Sequence, residues 1–282
     1  MLGTLIVSCP DRPGLVAALA QFLTAHDANI LHAEQHRDPI SSLFFQRMQF
    51  DMSKMSPDMS RLQSELKELA GRFQMQWSLH LSRDVTRVAI FVSKMDHCLY
   101  DLVLRQKEGE LRCEIPLIVS NHADLQRVAE HFGIEFQHVP VPSGNHAAVE
   151  EQHFELLASR RVGLVVLARY MQILSPRFVQ KYSERIINIH HSFLPAFAGG
   201  RPYHQAMERG VKLIGATSHY VTEQLDEGPI IEQDVVRVSH RDELKDLVAR
   251  GRDVEKTVLA HAVKAHLEHR VVVCGRKTVV FS

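Results

Sequence analysis

Two α/β domains in tandem are what the 282-residue sequence predicts: an antiparallel βαββαβ unit, then an open, mostly parallel α/β sheet. Three observations carry this. The length suits two domains of ordinary size. The first eighty residues alternate period-two and helical patterns in the order βαββαβ. Beyond residue 86 the texture changes to apolar strands alternating with helices, the signature of a parallel sheet. With 45% hydrophobic residues the chain can bury two cores, which argues against disorder.

The first domain spans residues 1–81. Residues 3–8 read as a short strand, and Cys9-Pro10-Asp11-Arg12-Pro13-Gly14 as a turn into a helix, with Pro13 suited to the first turn. Leu15, Val16, Leu19, Phe22 and Leu23 then share one helical face. Residues 29–37 are extended, Asp38-Pro39 turns the chain, and residues 43–52 return with Phe44, Met48, Phe50 and Met52 on one face. Leu62, Leu66, Leu69 and Phe73 mark a second helix, and residues 75–81 a last strand. This order is the ferredoxin-like arrangement, an antiparallel sheet with two helices on one side.

Residues 82–86 form the linker, and the second domain runs over 87–282. Residues 88–92 are a buried strand followed by a helix near 98–105. Next come a strand at 115–120, a helix from about 123 to 132, a short strand near Phe136 and a helix near 147–160. Gly163-Leu164-Val165-Val166-Leu167 is nearly all apolar, as a strand buried on both faces must be. A helix at 176–182 leads to a strand at 185–189 that ends in Asn188-Ile189-His190. Residues 211–221 and 229–238 make an extended β pair. A long helix carrying Leu244, Leu247, Val248, Val254, Val258 and Ala262 closes the domain.

Composition excludes several classes of function. Lys+Arg and Asp+Glu both total 33, so there is no basic excess to hold nucleic acid or an anionic membrane. Cys9, Cys98, Cys113 and Cys274 lie far apart with no C-x-x-C pair, the pattern of reduced, buried thiols. The N-terminus has neither a basic n-region nor a long apolar run, and no segment approaches the roughly 20 apolar residues of a membrane span. A cytoplasmic location is expected. Among the eighteen histidines there is no H-E-x-x-H pair, and adjacent His190 and His191 point to opposite faces of a strand, so no metal centre is predicted.

The chemistry concentrates at strand ends, where open α/β sheets bind ligands. Asn188 and His190 are two apart in an extended segment and project from the same face. Asp226 sits in the turn Asp226-Glu227-Gly228-Pro229. An amide donor, an imidazole and a carboxylate suffice to move an acyl group: two polarise the carbonyl and one handles protons. Each residue alone has a plainer reading: Asn188 as a strand-end cap, His190 as a core histidine, Asp226 as a turn former. Apolar Ile230 and Ile231 beside Asp226 lead one to expect a raised carboxyl pKa.

The opening strand, the Asp11-Arg12-Pro13-Gly14 turn and the helix after it resemble an ACT domain. That resemblance implies paired copies, hence a homodimer or homotetramer. It also implies an amino-acid effector held near Asp11, Arg12, Pro13, Gly14 and Asn29, with a purely structural oligomerisation module as the alternative. Across residues 87–275, four segments resemble the folate-dependent formyltransferase family in order and spacing. They are Asn188-Ile189-His190-His191-Ser192-Phe193-Leu194-Pro195, Gly199-Gly200-Arg201-Pro202-Tyr203-His204, Gly215-Ala216-Thr217-Ser218-His219-Tyr220-Val221 and Leu225-Asp226-Glu227-Gly228-Pro229-Ile230-Ile231.

That second resemblance implies a 10-formyl folate as substrate and no cofactor beyond it. Asn188 and His190 would hold the formyl oxygen and Asp226 would act as base. Met171, Gln172, Ile173 and Leu174 would contact the pterin, and His191, His219 and Gly228 would line or support the site. Three features resemble members that hand the formyl group to water. His191 stands where members acting on a ribonucleotide amine usually have proline, and Pro202-Tyr203-His204-Gln205-Ala206 opens the next helix. No glycine lies between Ser93 and Tyr100 to cradle a phosphate. An amine acceptor, or a non-catalytic folate- or amino-acid-responsive binder, are the competing readings.

Overall fold

The structure, a computed structural model, describes residues 1–55, 59–142, 146–196 and 202–282. Gly199, Gly200 and Arg201 of the motif above lie outside the described residues. The chain groups into two compact units. The first comprises Met1–Val85 with His269–Val272 and Val279–Ser282; the second comprises Thr86–Glu268 with Val273–Thr278.

In the first unit β1 (Leu2–Pro10), α1 (Leu15–Ala25), β2 (Asn29–Asp38), β3 (Leu43–Asp51), α2 (Met59–Phe73) and β4 (Gln76–Leu81) follow the expected order. The strands form one antiparallel sheet, β2-β3-β1-β4. Leu5 and Val7 of β1 and Phe44, Met48 and Phe50 of β3 meet Leu15, Leu19 and Leu23 of α1 and the Leu62–Leu66–Leu69 row of α2. Each such side chain contributes about 1.5–3 kcal/mol on burial. Gly14 is the N-cap of α1 at φ 90°, a conformation glycine adopts without strain. Pro13 therefore precedes the cap, two residues before the first helical position, instead of occupying the first turn.

The last residues return to this unit. The Arg270 guanidinium donates to the Phe281 carbonyl (2.8 Å), and the Ser282 backbone N–H and hydroxyl both donate to Glu34. Two further strands, β12 (Val271–Cys274) and β13 (Lys277–Val280), form a hairpin where the sequence reading placed no element.

The second unit is a seven-stranded sheet in the order β11-β10-β9-β8-β5-β6-β7. Its strands are β5 (Thr86–Val92), β6 (Cys113–Ser120), β7 (Glu135–His138), β8 (Leu164–Leu167), β9 (Ile186–His190), β10 (Leu213–Tyr220) and β11 (Ile230–Arg237). The five strands from β9 to β7 are parallel, and β10 is antiparallel to both neighbours. The helices are α3 (His97–Lys107), α4 (Gln126–Phe132), α5 (His146–Ser159), α6 (Pro176–Lys181), α7 (Pro202–Glu208) and α8 (Leu244–Leu267). Only α4 starts noticeably later than its pattern implied. Strand order reverses between β5 and β8, and a ligand crevice is expected beyond their carboxyl ends.

His153 of α5 is 2% exposed and wedged edge-on against Phe91, Tyr170 and Phe178. Both its ring nitrogens are buried without a hydrogen-bond partner among the described residues. Burial pushes its pKa down to about 4. The unfolded value is near 6.5, so the neutral ring is fully tolerated above that pH. Stability is lost as pH falls through the folded value, by on the order of 3 kcal/mol at this site. His153→Leu is expected to be at least as stable as the parent at pH 7.5 and increasingly more stable towards pH 5. A Tm difference that did not widen on acidification would show the ring is not held neutral.

Candidate active site

The register of β9 against β10 sets Asn188 opposite His219 and His190 opposite Thr217. Directly opposed residues share a sheet face, so the pairing places His219 beside the Asn188/His190 pair. The Nδ2 of Asn188 is 3.3 Å from the Nε2 of His219. Nδ1 of His219 lies 2.9 Å from the Tyr220 carbonyl, a bond only an Nδ1–H can make. In the neutral ring Nε2 is then a bare acceptor for one Asn188 amide hydrogen. The second hydrogen stays available to a ligand.

Asp226 comes from the loop between β10 and β11. Its backbone is left-handed (φ 57°), a region that Asp and Asn tolerate better than most residues. The Tyr220 N–H donates to the Pro229 carbonyl (2.9 Å) and pins the loop to the strand. Gly228 makes that approach feasible, since a Cβ there would lie 1.7 Å from the Tyr220 oxygen. So held, Asp226 places Oδ2 3.2 Å from Nδ1 of His190 and Oδ1 3.8 Å from Nε2 of His219. Nε2 of His190 is buried with no protein partner among the described residues.

The expected rise in the Asp226 pKa is reversed. The hydrogen bond from His190 holds the carboxyl far below its usual range, and burial opposes it only in part. Ile230 and Ile231 are its neighbours in sequence, but histidines dominate its surroundings in space. Asp226 is a carboxylate throughout the neutral range.

Asn188, His190 and Asp226 line one cavity of about 320 Å³ with Met171, Gln172, Ile173, Leu174, His191 and His219. Met171 and Ile173, in the loop after β8, are 60% and 73% exposed, unusual for large apolar side chains outside a binding surface. The loop is anchored where the Met171 N–H donates to Oγ of Ser93 (3.0 Å), which donates to Oδ1 of Asn121 (2.7 Å). Gly228 acts through close packing and does not line the cavity.

His191 sits with its ring centroid 5.3 Å from that of His190 and 5.9 Å from that of Tyr203. Burial, then the Arg169 charge, push its pKa down to about 4, leaving it neutral at physiological pH.

A charged cluster adjoins the site that sequence reasoning missed. Glu255, 1% exposed on α8, accepts from Nε2 of His97 (2.9 Å) and from the Tyr203 hydroxyl (2.5 Å), with Nε of Arg169 3.5 Å away. Burial pushes the Glu255 carboxyl up, but His97, Arg169 and Tyr203 together hold it below its usual value. His97, Cys98 and Glu255 bring three potential metal-ligand atoms within 4.8 Å of one another. Their chemistry fits a cation poorly: burial and Glu255 push the Cys98 thiol well up, and the Arg169 guanidinium already supplies positive charge.

The residues proposed for an effector are not gathered within one chain. Asp11 pairs with Nε of Arg37 (2.6 Å), and the Arg12 guanidinium lies 4.9 Å from the Phe73 ring centroid. Asn29 is level with Asp51 and Leu2 at one end of the sheet, whereas Pro10, just before the turn, is level with Leu43 and Asp38 at the other. Eight strand steps, roughly 27 Å, separate the two ends.

The fold and this site define an ACT domain followed by a formyl transferase domain. The ACT domain family model matches residues 3–71 and the formyl transferase model residues 86–263. The chain belongs to the formyltetrahydrofolate deformylase family. It is 53% identical over 282 residues to a formyltetrahydrofolate deformylase of Synechocystis sp., covering 100% of this chain and 99% of that one. The crystal structure of a formyltetrahydrofolate deformylase from Pseudomonas syringae pv. tomato matches with a TM-score of 0.97 at 47% identity, over 100% of this chain and 94% of that one. A glycinamide ribonucleotide transformylase 1 from Symbiobacterium toebii matches 70% of this chain and 95% of its own at 33% identity, with a TM-score of 0.66.

Proposed function

We propose that this chain hydrolyses 10-formyltetrahydrofolate to tetrahydrofolate and formate, supplying one-carbon and purine metabolism. The observation that carries the reading is the pairing of an ionised Asp226 with Nδ1 of His190, which leaves Nε2 of that ring unpartnered. The Asp226 carboxylate accepts from Nδ1–H of His190 at 3.2 Å and fixes the ring with Nε2 towards the formyl oxygen, so a proton carried on Nε2 is donated to that oxygen. The free amide hydrogen of Asn188 is the second donor. As water attacks, the oxygen gains negative charge, and each such donor is typically worth about 2.7–4 kcal/mol in the barrier.

Asp226 orders the attacking water and accepts its proton as the C–O bond forms. A carboxylate of such low basicity is a poor base towards free water, but water becomes acidic as it bonds to the carbonyl. The proton passes to N10 as the C–N bond breaks. Met171, Ile173 and Leu174 form an apolar wall for the pterin with Gln172 among them, and His191 and His219 support the reacting end. No cofactor beyond the folate enters this scheme.

The ACT domain supports a regulatory role. A site using both the Asp11-to-Gly14 turn and Asn29 needs a second copy, so a homodimer or homotetramer binding an amino acid between copies is the form we propose. Among the described residues no helix is long and apolar enough to cross a membrane, in keeping with a cytoplasmic home. The competing reading, transfer to an amine, draws on the likeness to the transformylase. The deciding experiment is formate release from 10-formyltetrahydrofolate by the purified protein with no second substrate. Steady formate is the expected result; turnover only on adding an amine would make the protein a transferase.

A further inference from the structure

The proposed reaction changes the charge inside its cavity. Water and the formamide enter neutral. The water oxygen bonds to the formyl carbon, the C–N10 bond breaks, N10 takes one proton, the other is released, and formate remains as an anion. It forms beside Asp226, which is already negative. Arg169 is the one lysine or arginine among the described residues that line the cavity.

Three features show Arg169 to be more than a structural ion pair. Its backbone is left-handed (φ 64°), an uncommon conformation for a residue of this kind, two residues past the end of β8. Its side chain makes no hydrogen bond among the described residues: Nε is buried without a partner, and the 3.5 Å approach to Glu255 is an ion pair only. Glu255 is meanwhile occupied by shorter bonds from His97 and Tyr203. A guanidinium with its donors unspent, facing a cavity in which a carboxylate is made, is suited to bidentate capture of that carboxylate.

We propose that Arg169, aimed by Glu255, is the subsite that receives the product formate. This rests on water being the formyl acceptor, since transfer to an amine makes no anion. Glu255 is a positioning residue whose carboxylate, 3.5 Å from Nε, offsets the guanidinium charge enough for formate to leave again; a glutamine there keeps the shape of the site and removes only that offset.

The test is product inhibition by formate, together with titration of ¹³C-formate into the protein with tetrahydrofolate bound, read by NMR. Arg169→Met is expected to weaken formate binding roughly tenfold or more; Arg169→Lys should retain part of it. Glu255→Gln should act in the opposite direction and tighten formate binding, because the guanidinium loses the carboxylate that competes for it. A merely structural pair would not produce opposite signs. Unchanged formate affinity in Arg169→Met, or unchanged or weaker affinity in Glu255→Gln, overturns the proposal. Should Arg169→Met fail to fold, Arg169→Lys and Glu255→Gln decide it. The NMR titration needs no turnover, so failure of the hydrolytic reading would show as absent formate release in the parent and remains separable from failure of the subsite.

Discussion

Asp226→Asn is expected to cut formate release by about 10²–10⁴-fold while leaving folate binding intact. The substitution is clean for a backbone reason: Asn shares with Asp a tolerance for the left-handed φ of 57° at this position, so the loop keeps its shape. The amide oxygen can still accept from Nδ1 of His190 across 3.2 Å, so geometry survives and charge does not. Without that charge the His190 ring loses the carboxylate that anchors it, and the water loses its proton acceptor. The pH dependence has a definite sign. The folded pKa of Asp226 lies below its unfolded value near 3.9, so the stability the ionised pair contributes is complete above that pH. It is lost only as pH falls through the depressed folded value, and Asp226 sets no inflection in the neutral range. Turnover, a folate fluorescence titration and a pH–rate profile from 5 to 9 check all three statements. Near-parental turnover in Asp226→Asn would remove the carboxylate from the mechanism.

What could be read from the sequence follows from which relations are local. Asn188 and His190 were legible as a pair because strand periodicity alone puts them on one face. His219 was not, since its place opposite Asn188 depends on the register of β10 against β9, a tertiary fact. The same distinction explains the error over Asp226: Ile230 and Ile231 are visible in the chain, whereas the contact with His190 spans 36 positions and exists only in the fold. Glu255 did carry a signal that went unused. It stands in the row Leu247–Gly251–Glu255–Leu259–Val263, an i+4 stripe buried along its whole length, and a carboxylate in such a stripe demands partners. Gly251 marks the same spot, because a Cβ there would strike the Tyr203 hydroxyl at 2.0 Å. The terminal hairpin was also legible in retrospect, with the β-branched runs at 271–273 and 278–280 flanking Gly275.

Gly228→Ala should be nearly as damaging as Asp226→Asn, although residue 228 touches no substrate in the proposed scheme. The added Cβ would lie 1.7 Å from the Tyr220 oxygen and 3.1 Å from Nδ1 of His219. The first obstacle is backbone within β10 and cannot rotate away, so the loop itself must move. Two linked contacts then fail. The Tyr220 carbonyl loses its bond from Nδ1 of His219, which frees the ring that orients Asn188, and Asp226, two residues before the glycine, draws back from His190. A displacement of about 1 Å in groups of this kind typically costs about 10²-fold in rate. The loss should therefore appear mainly in kcat. The control is Gly71→Ala on α2, where a Cβ meets nothing within 4 Å. It should leave turnover unchanged and stabilise the helix by about 0.5–1 kcal/mol. Near-parental kcat in Gly228→Ala would mean that the loop can shift without disturbing Asp226, His219 or Asn188, and that these groups are not held as one unit.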